Sequence, residues 1–120
     1  MNKYKLGEME QRFADLIWLH EPIQSRQLSE ICTEVFDWKR TTTYTMLKRL
    51  CDRGIFQNSN GIVRSLMSKN EFGALQGEQF IETSFDGSLP QFLAAFTRHK
   101  KLRKKEILEI QQLIDEHKEV

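Results

Sequence analysis

Thr43-Tyr44-Thr45-Met46-Leu47-Lys48-Arg49-Leu50-Cys51-Asp52-Arg53-Gly54, running on into Ile55-Phe56-Gln57-Asn58-Ser59-Asn60-Gly61-Ile62-Val63-Arg64-Ser65-Leu66-Met67, is the stretch from which the fold can be read. Thr43, Met46, Leu47, Leu50 and Cys51 share one side of a helix, and Gly54 ends it with the residue most tolerant of a left-handed backbone. Two stretches of strand-forming residues follow, separated by Asn58-Ser59-Asn60-Gly61. Asn-Gly is the strongest short-range hairpin signal, because both residues accept positive φ. A helix that stops at Gly and leads straight into a two-stranded hairpin is the second half of a winged helix-turn-helix.

The first half lies upstream. Leu28, Ile31, Cys32 and Val35 outline a shorter helix, with Ser25 placed as its cap and Pro22-Ile23 as the break before it. Met9, Phe13, Leu16 and Ile17 outline another, from about Glu8 to His20. Three helices and a hairpin match a winged helix, although the same order also serves other small α+β cores. Either Thr41 or Thr42 is placed to cap the third helix.

Downstream, Ser68 and Glu71 have capping-box spacing ahead of Phe72, Leu75 and Phe80, and Phe85-Asp86-Gly87 stops that helix. Ser88 caps the next, with Pro90 in its first turn and Leu89, Phe92, Leu93 and Phe96 on one face. A last helix, from about Leu102 to Lys118, carries Ile107, Ile110 and Ile114 in a narrow heptad-like seam, with Leu113 alongside. Short helices with so many apolar residues cannot close a core alone, and a second copy of the chain is the simplest partner. The fold class expected is mainly α with a small β-hairpin wing: a winged helix over residues 1–67, then a helical dimerisation region over residues 68–120.

Composition narrows the function. The chain has 120 residues, and 18 Lys and Arg against 17 Asp and Glu leave a formal charge of +1. The longest apolar run, Phe92 to Phe96, is far short of the roughly 20 residues that a membrane span needs. No signal-peptide pattern opens the chain, so a cytoplasmic location is expected. Cys32 and Cys51 fall at apolar helical positions and read as buried, reduced thiols; no metal or cofactor is expected. Neither a phosphate-binding Gly loop nor a nucleophile elbow nor a metalloprotease motif occurs, which argues against an enzyme.

Charge is concentrated on the third helix, where Lys39, Arg40, Lys48, Arg49 and Arg53 face only Asp37 and Asp52. With Thr43, Met46, Leu47 and Leu50 inward, Arg40, Thr41, Tyr44, Thr45 and Lys48 point outward. Hydroxyls and cations on one short face suit a major groove, where they meet base edges and phosphates. Thr41-Thr42-Thr43 costs helix propensity, which points to a use other than local stability. Arg64 on the return strand is the best candidate for a wing contact. Arg98, Lys100, Lys101, Arg103, Lys104 and Lys105 form a second basic cluster, which reads as a solvated loop ahead of a second nucleic-acid contact or a degradation handle.

Taken in order, Leu6-Gly7-Glu8-Met9-Glu10, Ile17-Trp18, Trp38, Thr42, Thr45, Leu47, Arg49-Leu50 and Arg53-Gly54 resemble the penicillinase-repressor family of winged-helix transcriptional regulators. Phe85-Asp86-Gly87-Ser88-Leu89, Phe96 and Leu102 resemble that family's dimerisation region. The resemblance implies a homodimer that represses transcription from a palindromic operator. Arg40, Thr41, Thr42, Tyr44, Thr45, Lys48, Arg49 and Arg64 would then line the DNA surface, and Leu89, Phe92, Leu93, Phe96, Ile107, Ile110 and Ile114 the dimer contact. Antibiotic-responsive members are cleaved between Asn and Phe, where this chain has Ala95-Phe96, so a β-lactam response does not carry over and any inactivating protease is left open. Copper-responsive members carry a Cys-x-Cys motif near the C-terminus, whereas no cysteine follows Cys51 here. Thr41, Tyr44 and Lys48 vary among members, which implies a different operator. The alternatives are a winged-helix protein-interaction module without DNA binding, acting as scaffold or anti-repressor, and a sensor with a ligand in the dimer cleft.

Overall fold

A computed structural model describes residues 4–118. Among these residues six helices and three short strands follow one another: α1 (Glu8–His20), β1 (Ile23–Gln24), α2 (Ser25–Phe36), α3 (Arg40–Asp52), β2 (Phe56–Ser59), β3 (Ile62–Ser65), α4 (Lys69–Phe85), α5 (Leu89–His99) and α6 (Lys104–Lys118). The mainly α winged helix-turn-helix with a helical C-terminal region, expected from the sequence, is the fold observed. The chain forms two compact units that part inside α4, after Gln79.

The first unit is built around side chains from each of its elements. Phe13, Ala14 and Ile17 of α1, Leu28 and Cys32 of α2, and Leu47 and Leu50 of α3 meet Ile23, Ile55, Phe56 and Val63 from the sheet side. Phe72 of α4 is also buried here, with its ring 5.5 Å from Trp18 and 5.9 Å from Tyr4. Burial of this kind explains why the first unit extends past residue 67 into α4. The Trp18 indole N–H also donates to the Met67 carbonyl, 3.0 Å away, which fixes the chain leaving the sheet.

Local signals set the ends of the helices. Asp37 takes the left-handed conformation (φ 58°) after α2, and its N–H returns to the Thr33 carbonyl at 3.1 Å. The Thr33 hydroxyl donates to the Trp38 carbonyl at 2.8 Å, and the Trp38 ring makes tilted contacts with Phe36 and Phe13, centroids 4.9 and 5.3 Å away. The α2–α3 turn is thereby held rigidly. Gly54 ends α3 at φ 79°. Asn60 (φ 52°) and Gly61 (φ 79°) make the tight turn of the β2–β3 hairpin, as the Asn-Gly pair predicts.

Three details differ from the sequence reading. The sheet has a third strand, in the order β1-β3-β2 and antiparallel throughout, with Ile23 opposite Val63 and Gln24 opposite Ile62. Two residues are too few to show alternation, so Pro22-Ile23 reads as a mere break. Ser25 is the first residue of α2 rather than its cap; its N–H is taken by the Gly61 carbonyl at 2.8 Å. Thr41 and Thr42 do not cap α3 either, because the helix starts at Arg40 and Lys39 holds the cap position. The Lys39 carbonyl accepts the Thr42 and Thr43 N–H groups at 3.0 and 3.2 Å, which leaves the Thr41 and Thr42 hydroxyls outside the capping geometry.

The second unit contains the end of α4, then α5 and α6. Asp86 (φ 50°) and Gly87 (φ 79°) turn the chain after α4, and the Ser88 hydroxyl caps α5 by accepting the Gln91 N–H at 3.1 Å. Phe80, Phe85, Phe92 and Phe96 form a run of edge-on and tilted ring contacts with centroids 5.4–6.0 Å apart. No residue of α5 or α6 is buried in the single chain. The last helix begins at Lys104, slightly later than its apolar pattern suggests.

Candidate nucleic-acid interface

The third helix divides cleanly into two faces. Thr43, Leu47 and Leu50 are buried and Met46 is half-buried, while Arg40, Thr41, Thr42, Tyr44, Thr45, Lys48 and Arg49 are exposed. Because the inward residues are fixed by the core, the outward ones are presented at a set angle. No acidic residue lies in the first turn of α3, so its N-terminal positive pole, Arg40 and Lys39 reinforce one another. Asp52 moderates the far end, where its carboxylate holds the Lys48 ammonium at 3.2 Å. Both side chains are exposed, so the ion pair holds Lys48 weakly and yields readily to a phosphate.

Ser25 links the tip of the wing to this helix. The Ser25 N–H binds the Gly61 carbonyl at the hairpin tip, and the Ser25 hydroxyl makes a long hydrogen bond, 3.5 Å, with the Tyr44 hydroxyl of α3. Three elements thus converge on Ser25: the start of α2, the outward face of α3 and the wing turn. Sequence reasoning missed this residue as part of the surface, together with exposed Arg26 beside it. Pairing of β1 with β3 creates the junction, and a two-residue strand leaves no sequence signal. Arg64 is exposed on β3, opposite Gln57 of β2. The base of the wing is held by Glu21, whose carboxylate accepts the Ser65 N–H at 2.7 Å and the Ser65 hydroxyl at 2.7 and 2.8 Å.

Neither thiol is poised to react. Burial pushes Cys32 up to about 11, with the Thr43 hydroxyl opposing in part, and burial followed by the Asp52 charge raises Cys51. Cys51 is half-buried against a crevice of about 190 Å³ between α3 and β2, lined by Tyr44, Leu47, Lys48 and Asn58. Thr43 Oγ1 is itself buried and forms no hydrogen bond of sound geometry.

The residues expected at a dimer contact lie in the second unit. Leu89, Phe96, Ile107 and Ile114 are 37–55% exposed, and Phe92, Leu93 and Ile110 are half-buried. Leu108 and Leu113 add further exposed apolar area on α6. Ala95 and Phe96 both lie on exposed positions of α5. No helix among the described residues is long and apolar enough to cross a membrane.

A winged helix-turn-helix with a hydroxyl- and cation-bearing third helix, joined to helices whose apolar faces are uncovered, defines the class. Within that class the chain belongs to the penicillinase repressor family, whose model matches residues 6–116. It is similar to the penicillinase repressor of Bacillus licheniformis, with 21% identity over 118 residues, covering 95% of this chain and 92% of the relative.

Proposed function

We propose that this protein is a homodimeric transcriptional repressor that binds a palindromic operator through α3 and the wing. The observation that carries the reading is the two-faced third helix: its core side is locked, and its exposed side combines Arg40, Thr41, Thr42, Tyr44, Thr45, Lys48 and Arg49. Membership of a repressor family over nearly the whole chain supports the same conclusion. In this reading Thr41, Tyr44 and Thr45 reach base edges, and Lys48, released from Asp52, holds a phosphate. Arg40, Thr42, Arg49 and Arg64 hold phosphates, with Ser25 and Arg26 beside them.

Residues 1–67 act as the DNA-binding part and residues 68–120 as the dimerisation part. The uncovered side chains Leu89, Phe92, Leu93, Phe96, Ile107, Ile110 and Ile114 supply the contact between two copies, since an exposed apolar surface of this density favours association. A two-fold dimer puts two copies of α3 in successive major grooves, about 34 Å or a multiple of it apart, so the operator is a palindrome. Selecting bound duplexes from a random pool tests the proposal. Enrichment of an inverted repeat with half-sites one or two helical turns apart is expected. A folded dimer that enriches no sequence would refute it.

A further inference from the structure

We propose that the segment joining α5 to α6 is a second phosphate-binding surface, which grips duplex DNA without reading its sequence. Arg98, His99, Lys100, Lys101, Arg103, Lys104 and Lys105 are all exposed, and no carboxylate occurs between Asp86 and Glu106. Local partners absorb little of this charge. Arg103 pairs with Glu106 at 3.3 Å and Lys105 with Glu109 at 3.9 Å, while Arg98, Lys100, Lys101 and Lys104 make no ion pair among the described residues.

Helix electrostatics account for only part of the cluster. Arg98 and His99 lie in the last turn of α5, where the dipole favours cations. Lys104 and Lys105 open α6, where the dipole disfavours them, so local helix stability does not explain their placement. Glu106, in the first turn of α6, reaches back to the residue before the helix: its carboxylate accepts the Arg103 N–H at 3.0 Å and the Arg103 side chain at 3.3 Å, and these hydrogen bonds hold it below the usual carboxylate range. Between the helices Lys100 takes an extended conformation (φ −133°, ψ 119°), which spreads Lys100 and Lys101 outside either helix. Leu102 is partly buried, and no exposed apolar side chain stands among the cations from Arg98 to Lys105. A surface of cations with no apolar wedge suits a regularly charged rod rather than a bilayer, and duplex DNA, with one negative charge per about 1.7 Å of axis, is such a rod. The choice of DNA as the polyanion rests on the operator-binding reading.

The test uses the full chain and a scrambled duplex of about 30 base pairs, on which binding is electrostatic alone. Lys100→Ala/Lys101→Ala/Lys104→Ala is expected to weaken this binding about 10-fold or more and to flatten the slope of log K against log salt by about 2–3 per chain. The triple Lys→Arg variant restores both, the melting temperature stays at the parent value, and the preference for operator over scrambled duplex is unchanged. Parent-like affinity and slope in the Ala variant overturns the proposal. So does a loss of binding to polyglutamate with DNA binding intact, which would assign the surface to an acidic polypeptide. A parent chain with no affinity for the scrambled duplex at low salt overturns it as well. Separately, an Arg40→Ala/Lys48→Ala variant with parent affinity and salt slope on the operator would remove the operator reading, while the scrambled-duplex comparison still decides this one.

Discussion

Thr43→Val should stabilise the protein although it removes a polar group from the DNA-facing helix. Thr43 is fully buried and its hydroxyl has no hydrogen-bond partner of sound geometry among the described residues, whereas Val has nearly the same shape and the same branching at Cβ. The two residues have similar helix propensities, so the backbone contributes little to the difference. Burying an unpartnered hydroxyl costs about 1–3 kcal/mol in proteins. The nearby Cys32 sulfur, toward which the Thr43 hydroxyl acts as a donor that lowers the thiol's pKa, is only a weak acceptor. The net gain is therefore about 1 kcal/mol, equivalent to roughly 4–8 °C in the melting temperature of a domain of this size. Urea titration followed by tryptophan fluorescence measures it, because Trp18 and Trp38 both pack in the first unit. DNA affinity should stay within about twofold, since the substituted atom faces the core. A variant destabilised by about 1 kcal/mol would show the hydroxyl to be satisfied, and a double-mutant cycle with Cys32→Ala would then identify the thiol as its partner. The outward neighbours differ in their effect on DNA: Thr41→Ala and Thr42→Ala also favour the helix but weaken DNA binding.

Other perturbations separate the wing, the dimer contact and the core thiol. Glu21→Ala removes the acceptor of both the Ser65 N–H and the Ser65 hydroxyl, and a loss of about 2 kcal/mol with faster amide exchange across β3 is expected; unchanged exchange would show that Glu21 does not hold the wing. Ile107→Glu/Ile114→Glu alters exposed positions, so sedimentation should find a folded monomer with weakened operator binding, whereas a dimer of parent affinity would place the contact elsewhere. The Cys32 thiol is raised in the folded state, so its contribution to stability is complete below the unfolded value near 9 and is lost as pH rises toward about 11. Cys32→Ala should remove that alkaline loss, and a pH profile identical to the parent's would contradict it.

Much of this arrangement is legible in the sequence because its devices are local. Helical spacing places Phe13, Ile17, Leu28, Leu47 and Leu50 on buried faces, and Asn60-Gly61 specifies the hairpin because positive φ is required at both residues. What escaped are features set by pairing between distant residues. Ile23-Gln24 becomes a strand only because β3 lies beside it, and Ser25 falls inside α2 because Gln24, the last residue of that strand, takes the cap position. The compact units part within α4 for the same reason: Phe72 fills a space between Trp18 and Tyr4 that helix periodicity alone does not reveal. The outward face of α3 follows directly once its buried residues are fixed. Its meeting with Ser25 and the wing depends on the sheet and could not be read in advance.

Titrating the selected operator with the parent chain and with Arg40→Ala/Lys48→Ala at roughly 50 and 200 mM salt decides whether α3 holds DNA. The parent is expected to bind tightly and with a steep salt dependence. The variant is expected to be folded and dimeric, to bind at least about 10-fold more weakly, and to have a slope shallower by about 2 per chain. Equal affinity and equal slope for the two chains would contradict the operator-binding reading, because α3 would then not be the surface that holds DNA.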